Sequence, residues 1–290
     1  MGQAKVMANS DNTLSRWGVD TWVLEAFPIE SAVHILEEEG FHCFEYAYEH
    51  FKQDDLRGTV SSKIKNLSDE VSTLSIEASQ MHAPYGELDS QLASPDEATR
   101  SSGIRKAREW LQYASMLGVK VLVFHPACHK SGTASPSGDD WQQSKAWNRE
   151  VFAEIGRFGR EVGVRVALEN RDDPVFGSRL EDLLEIVQID PDSLGVCLDT
   201  GHANINGFAC GRFAIELGEH LIATHIHDND GRSDQHLLPF VGNIDWDEFL
   251  DAIERCHYGG RMIVEVPGSD TDQHLCLEKI KLVKRLMDII

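Results

Sequence analysis

Short apolar segments alternate with helical segments along almost the whole chain, and this alternation limits the fold more than any other feature. Each apolar run is followed by a stretch whose apolar residues recur at helical spacing. Strands joined through helices run parallel and are connected by right-handed crossovers. The eight expected strands are Trp17–Leu24, His42–Glu49, Ile76–Ala83, Val119–Pro126, Val164–Asn170, Leu194–Thr200, Ile222–Asp228 and Gly260–Val266.

The number of strand–helix units predicts a closed barrel. Eight units in 290 residues match a single (β/α)8 TIM barrel, which typically takes roughly 250 residues. The alternative is an open doubly wound sheet, which normally carries a glycine-rich phosphate turn after its first strand; neither glycine-rich phosphate motif occurs here. We expect the polar residues 1–15 to form a flexible N-terminal segment and residues 16–290 to form the barrel domain.

Two helix starts carry the capping-box pattern, in which a polar residue and an acidic residue three positions later bind the free N–H groups of the first turn. Ser178 with Glu181 predicts a helix start after the fifth strand. Asp245 with Glu248 predicts another after the seventh strand.

The charge of the chain narrows the range of partners. With 27 Lys and Arg against 48 Asp and Glu, the net charge of −21 sets up a field that repels polyanions, so nucleic acid is a disfavoured partner. No stretch reaches the roughly 18 apolar residues of a membrane span. We expect a cytoplasmic protein with no membrane partner, and leave open whether it forms a homo-oligomer. Six cysteines without a Cys-x-x-Cys pair are expected to be buried, reduced thiols.

Ionisable residues collect where the expected strands end. The carboxyl ends of barrel strands share one face, and active sites lie there. Several carboxylates packed on that face would repel one another unless a cation neutralised them. Imidazole and carboxylate donors without cysteine suit Zn²⁺, Mn²⁺, Fe²⁺ or Co²⁺. The residues concerned are His82, His125, Glu169, Asp199, His225, His227 and Glu265 at strand ends, and His202, Asp234 and His236 just beyond them.

Two of these histidines compete for one role. His225 and His227 lie two residues apart in the seventh strand, so both can point into the barrel. The spacing alone does not say which of them binds a metal.

Six motifs in a fixed order resemble those of the xylose isomerase-like barrels. That family includes sugar phosphate isomerases, ketose epimerases and the DNA-repair enzyme endonuclease IV. The motifs are Leu168-Glu169-Asn170, Cys197-Leu198-Asp199-Thr200-Gly201-His202, His225-Ile226-His227-Asp228, Asp234-Gln235-His236, Gly242-Asn243-Ile244-Asp245-Trp246 and Ile263-Val264-Glu265.

The resemblance implies a metal-dependent sugar or sugar phosphate isomerase or epimerase. In that branch the metal is held by the matches to Glu169, Asp199, His225 and Glu265, and the match to His202 contacts substrate. Glu169 and Glu265 would take and return the proton next to a carbonyl, through an enediolate that the metal stabilises. One ion is expected and up to three are allowed, with the remaining donors binding substrate or further metal: His82, His125, His227, Asp234 and His236.

Two other functions stay open. Endonuclease IV holds three zinc ions with nine residues, and this sequence matches all nine, which keeps a multi-zinc phosphodiesterase as an alternative. The acidic charge, Gln235 in place of an arginine of that enzyme, and the segment from Asp228 to Trp246 favour the sugar branch instead. A barrel that binds a sugar without turnover is the other alternative, which the presence of both glutamates disfavours.

Overall fold

Eight parallel strands close into a barrel in sequence order, from β1 next to β2 round to β8 next to β1. The computed structural model describes residues 16–128 and 138–289, so the segment 1–15 that the sequence predicts to be flexible lies outside the described residues. The predicted (β/α)8 barrel is confirmed. Strands β1 to β8 are Trp17–Asp20, Cys43–Tyr46, Glu77–His82, Val121–Phe124, Arg165–Glu169, Leu194–Asp199, Leu221–Ile226 and Met262–Val264.

Helices follow the strands and cover the outside of the barrel. Apolar side chains from both layers form one large core between them. Three short 3-10 helices interrupt the pattern, at Thr21–Leu24, Tyr48–His50 and Gly218–His220. Helices α1 to α11 are Ile29–Glu38, Lys52–Arg57, Val60–Val71, Glu87–Leu92, Glu97–Met116, Gly138–Val162, Leu180–Val187, Thr200–Ile205, Cys210–Leu217, Trp246–Arg255 and Gln273–Met287.

All eight expected strands end earlier than predicted, six of them by one or two residues and the first two by three or more. The run Trp17–Leu24 is a strand only as far as Asp20, because the Asp20 carboxylate accepts the N–H of Trp22 and starts a 3-10 helix there. The run His42–Glu49 likewise ends at Tyr46, before the 3-10 helix Tyr48–His50. Both chain turns therefore occur at the carboxyl end of the barrel.

One of the two predicted capping boxes is wrong. Helix α7 begins at Leu180 with Arg179 as its N-cap and no side-chain cap, and the nearby Gly177 N–H is bound by Asp182. Asp245 does cap α10 by accepting the N–H of Glu248 at 3.0 Å.

The interior of the barrel changes from apolar to polar along its axis. A small cluster of Val123, Ala167, Cys197 and Ala223, one from each of β4 to β7, is fully buried inside the barrel. The interior also holds buried polar side chains such as Glu45, which accepts a hydrogen bond from Gln80 at 2.7 Å. Polar groups can be buried in this way only when they find partners.

A buried aspartate fixes the long loop after β7. Asp228 is fully buried, and its backbone pairs with that of Leu237 through two hydrogen bonds of 2.8 Å. A Cβ atom at Gly242 would lie 2.2 Å from Asp228 Oδ1, so only glycine fits there. The Asp228 carboxylate accepts from four donors, the N–H groups of Asn229, Gly242 and Ile244 and the indole N–H of Trp246.

All six cysteines lie in the described part of the chain and none of them is in a disulfide; five are buried and Cys256 is half-buried. Among the described helices, none is both long and apolar enough to cross a membrane.

Candidate metal centre and active site

All the residues that the sequence singles out lie at the carboxyl end of the barrel. His82, Glu169 and Asp199 are the last residues of β3, β5 and β6, and His225 is the penultimate residue of β7. His125, His227 and Glu265 each follow directly on a strand. His202 is on α8, whereas Asp234 and His236 lie in the loop that Asp228 anchors.

A pocket of about 260 Å³ opens at this end. Asp199, His225 and His227 do not line it; they are fully buried beneath it. Sequence reasoning did not identify several of its residues. The described lining residues are Asp20, Trp22, Glu49, His82, Tyr85, His125, Glu169, Arg171, Asp172, His202, Asp234, His236 and Glu265.

Four donors form what we term the inner group: Glu169, Asp199, His225 and Glu265. The Nδ1 atom of His225 lies 3.3 Å from Glu169 Oε1 and 3.6 Å from Glu265 Oε2. Donor atoms of Asp199, His225 and Glu265 all lie within 4.8 Å of one another, and Glu169 shares a similar set with Asp199 and His202.

Two atoms of the inner group are left without hydrogen-bond partners. Among the described residues, neither His225 Nδ1 nor Glu265 Oε2 has a partner, although both atoms are buried. Buried polar atoms are normally satisfied, and a divalent cation would satisfy both at once. The donor set of three carboxylates and one imidazole therefore fits a divalent ion.

The orientation of His225 is set by Glu45, a residue that the sequence did not reveal. Glu45 is fully buried in β2, and His225 Nε2 donates to its Oε2 at 3.0 Å. This bond places the proton on Nε2 and leaves the Nδ1 lone pair facing the inner group, as carboxylate partners do for metal-binding histidines. The only available signal was a single carboxylate within an otherwise apolar strand.

A second set of donors surrounds Glu169 on its other side. His82 Nε2 lies 3.1 Å and His125 Nε2 lies 3.3 Å from Glu169 Oε2. The Nδ1 atom of His125 lies 3.1 Å from Asp89 and 2.7 Å from Arg171 Nη1. The sequence did not identify Asp89 or Arg171 as partners of His125, because nothing in their spacing marks them as such.

A third set, which we term the outer group, consists of His202, Asp234 and His236. The Nε2 atoms of His202 and His236 lie 3.5 Å and 2.9 Å from Asp234 Oδ2. His227 lies beside this group, with its ring stacked on that of His236 at 3.9 Å. His225 and His227 therefore face different partners.

The two candidate acid–base carboxylates have pKa values shifted in opposite directions. Burial raises the pKa of Glu265 above its usual value, and His225 and His236 offset only part of that effect. Burial acts in the same way on Glu169, but the adjacent His225 and His125 outweigh it and hold the pKa of Glu169 well below its usual range. Environments that separate two carboxylates in this way suit one to accept a proton and the other to donate it.

One family of barrels matches most of the chain in sequence. The sequence profile described as "xylose isomerase-like TIM barrel" matches residues 33–287. An uncharacterised protein of Methanocaldococcus jannaschii, MJ1311, is 32% identical over 194 residues, covering 64% of this chain and 63% of that protein, less than two thirds of its length. A probable endonuclease 4 of Thermoplasma acidophilum is 26% identical over 226 residues, covering 71% of this chain and 73% of that protein.

Solved structures of the same fold cover nearly the whole chain. A D-tagatose 3-epimerase-like protein is 26% identical with a TM-score of 0.74, covering 94% of this chain and 98% of that one. The IOLI protein, whose structure holds a zinc atom, is 19% identical with a TM-score of 0.76, covering 94% of this chain and 96% of that one.

Replacing Glu45 with Gln should weaken divalent metal binding without unfolding the barrel. The amide keeps the shape of the carboxylate but lacks its negative charge, so it holds the proton on His225 Nε2 more weakly. Losing such a partner typically costs about 10- to 100-fold in metal affinity. Competition with a chromophoric chelator measures the loss. Glu77→Gln, an exposed change at the amino end of β3, is the matched control and should bind metal as the wild type does. Equal affinities for both variants would contradict this role of Glu45.

Metal uptake should tighten as the pH rises and should release protons. Burial would lower the pKa values of His82 and His236, but the hydrogen bonds to Glu169 and Asp234, together with the negative charge of nearby carboxylates, outweigh burial and raise both values to about 9. Both rings are therefore protonated at pH 7 and must lose a proton before they bind an ion. Calorimetric titration of chelator-stripped protein in buffers of different ionisation enthalpy measures that release between pH 7 and 9.

The free energy of unfolding of the chelator-stripped protein should fall as the pH rises, whereas its metal affinity should increase. Folded-state pKa values of about 9 lie above the ordinary value near 6.5. The stabilisation from these charged pairs is therefore complete below about pH 6.5 and is lost as the pH rises through 9.

Metal affinity that stays constant from pH 7 to 9, with no proton release, would contradict the assignment of these rings as donors to ions.

Proposed function

The chain belongs to the xylose isomerase-like TIM-barrel family, and from this premise we propose that it is a divalent-metal-dependent isomerase or epimerase of a small sugar. The relatives support the general class, since its structural neighbours include a D-tagatose 3-epimerase-like protein and a D-psicose 3-epimerase. The finer assignment rests on the residues at the mouth of the barrel.

One observation carries the proposal: two glutamates face the same histidine from strands on either side of it. Glu169 ends β5 and Glu265 follows β8, and both approach Nδ1 of His225 on β7. Both also line the pocket. A substrate carbon above His225 would have one carboxylate on each side, which is the arrangement needed to remove a proton and return it.

The inner group would hold the ion, and its donors suit Zn²⁺, Mn²⁺, Fe²⁺ or Co²⁺. When bound, such an ion polarises a carbonyl oxygen and makes the neighbouring C–H more acidic. Glu169 would accept the proton and Glu265 would return one, which are the roles that the opposite directions of their pKa shifts favour.

His202 would hold a substrate oxygen. Its Nδ1–H donates to the carbonyl of Asn170 at 2.8 Å, so its Nε2 faces the pocket. The Asn170 amide in turn pairs with both backbone groups of Asp199 at 2.8 and 2.9 Å. These bonds fix the ends of β5 and β6 relative to each other, so Glu169 and His202 keep their separation during turnover.

The charges around the pocket favour a sugar without phosphate. Six carboxylates line it, and Arg171 is its only Lys or Arg among the described residues. The Arg171 guanidinium already contacts Asp89 at 3.3 Å and Asp173 at 3.2 Å. A phosphate would meet repulsion from these carboxylates and find no Lys or Arg among the described lining residues without acidic partners, whereas sugar hydroxyls can donate hydrogen bonds to carboxylates.

Replacing Glu169 or Glu265 with Gln should abolish hydrogen exchange between substrate and solvent. Gln cannot accept a proton, and general acid–base catalysis alone is worth about 10²- to 10⁴-fold. The measurement follows the incorporation of deuterium from D₂O into free ketoses and into their phosphates, by mass spectrometry. We expect exchange with wild-type protein and a free ketose, and none with either Gln variant.

Metal content must be measured in each variant, because both glutamates belong to the inner group. Glu254→Gln, an exposed change on α10, is the matched control and should exchange as the wild type does. Wild-type exchange rates in both metal-loaded Gln variants would remove these residues from proton transfer. If the wild-type protein binds the ketose but exchanges no hydrogen, it is a sugar-binding barrel and not an isomerase.

A phosphodiesterase is the second candidate, and one observation favours it. The inner group, the outer group and the two histidines beside Glu169 together supply nine donors around one pocket, and a relative of the chain is a probable endonuclease 4. Several neighbouring ions would suit hydrolysis of a phosphodiester better than isomerisation.

Double-stranded DNA containing abasic sites should nevertheless be neither bound tightly nor cut. Each phosphate contact would form against the field of a chain with a net charge of −21. A gel assay of labelled duplex at physiological salt, with and without chelator, measures both activities. Incision that chelator abolishes would replace the sugar proposal with the phosphodiesterase one.

A further inference from the structure

The histidines around the pocket differ in which ring nitrogen donates a hydrogen bond to a group outside the site. In His82, His202 and His236, Nδ1–H donates to a backbone carbonyl, at 2.7, 2.8 and 3.3 Å. Nε2 then faces the carboxylates, and it presents a lone pair there once the ring has lost its second proton. In His225 the roles are reversed, since Nε2–H donates to Glu45 and Nδ1 faces the inner group. Each of these rings has the outward hydrogen bond that metal-binding histidines nearly always make.

His227 lacks that outward bond. Its Nδ1 is buried and has no hydrogen-bond partner among the described residues. The ring packs directly on Gly201, where a Cβ atom would lie 2.0 Å from Cε1 and 2.5 Å from Nδ1. Nε2 is instead 3.0 Å from Asp199 Oδ2. Because a carboxylate only accepts, the proton of His227 is on Nε2 and the bare Nδ1 lone pair faces Gly201.

We propose that His227 is a positioning residue for Asp199, and not a metal ligand. Its Nε2–H donates to Oδ2 of Asp199, while the backbone N–H of His202 donates to Oδ1 at 2.7 Å. Each oxygen of the carboxylate is thus held by one donor, and the remaining lone pairs are directed at the inner group. This inference rests on the metal centre proposed above, but not on the sugar chemistry.

Distance alone would allow the other assignment. A donor atom of His227 lies within 4.8 Å of donors from the whole outer group, and its Nε2 is 3.8 Å from Asp234 Oδ1. Binding an ion through Nε2 would move the proton to Nδ1, where it would be buried against Gly201 without an acceptor. An unsatisfied buried N–H is unfavourable, so the hydrogen-bonding pattern decides between the two assignments.

Three substitutions separate the two roles because they place a donor at different positions. Gln carries an amide N–H about as far from the backbone as Nε2 of His227, Asn carries it closer, and Leu has none. We expect His227→Gln to bind Co²⁺ within about threefold of wild type, and His227→Asn and His227→Leu to bind it about 10- to 100-fold more weakly. His225→Gln, which changes a proposed ligand, is the comparison and should lose an ion.

The experiment measures Co²⁺ affinity by competition with a chromophoric chelator, the number of ions per chain by elemental mass spectrometry, and the visible spectrum of bound Co²⁺. Circular dichroism shows that each variant is folded. The positioning role is supported if His227→Gln retains the wild-type stoichiometry and spectrum while His227→Asn and His227→Leu bind Co²⁺ more weakly. His227→Gln that loses an ion as His225→Gln does, or His227→Leu that binds like wild type, overturns it.

The outcomes also separate this inference from the proposed function. Wild-type protein that takes up no Co²⁺ would overturn both. Absence of sugar exchange, combined with the expected order of affinities at position 227, would overturn the sugar chemistry alone.

Discussion

Carboxylates at the mouth of the barrel are held close together by the histidines that lie between them. Two like charges 4 Å apart repel by about 4 kcal/mol at an effective dielectric constant of 20. Glu169 has imidazole nitrogens from His82, His125 and His225 within 3.3 Å, and Asp234 has that of His236 at 2.9 Å. The raised pKa values of His82 and His236 mean that protons supply positive charge here, which bound ions would replace.

The orientation of these rings depends on groups outside the pocket. A backbone carbonyl fixes His82, His202 and His236, and a buried carboxylate fixes His225. The barrel supplies these partners because closure places strand ends side by side, as in the pairing of Asp199 with His225. The fold thus determines the positions of the donors and also which nitrogen each ring presents.

The sequence predicted the parts of this site that follow from topology. Glu169, Asp199 and His225 were assigned to one face because the carboxyl ends of parallel strands must meet, and a position near the end of a strand can be read from the apolar pattern. Glu45 could not be assigned in this way. It lies inside β2, where the apolar pattern indicates only that a side chain is buried. Its role depends on the side-chain conformation of a histidine 180 residues away in sequence.

The same distinction explains the errors in local structure. The pattern at Ser178 and Glu181 satisfies the rule for a helix cap, but Asp182 accepts the neighbouring N–H of Gly177, and the N-cap is Arg179 instead. Asp89 and Arg171 meet at His125 only after three segments distant in sequence have packed together. Long-range partners of this kind leave no mark in residue spacing.

Asp228 joins the loop that carries part of the outer group to the barrel beneath it. Its carboxylate binds the chain where the loop departs, at Asn229, and where it returns, at Gly242, Ile244 and Trp246. Because both of its ends are tied to one buried side chain, the loop that carries Asp234 and His236 is held against the strands that carry the inner group. The outer group therefore keeps its place next to the inner group, although Asp234 and His236 lie on no strand or helix.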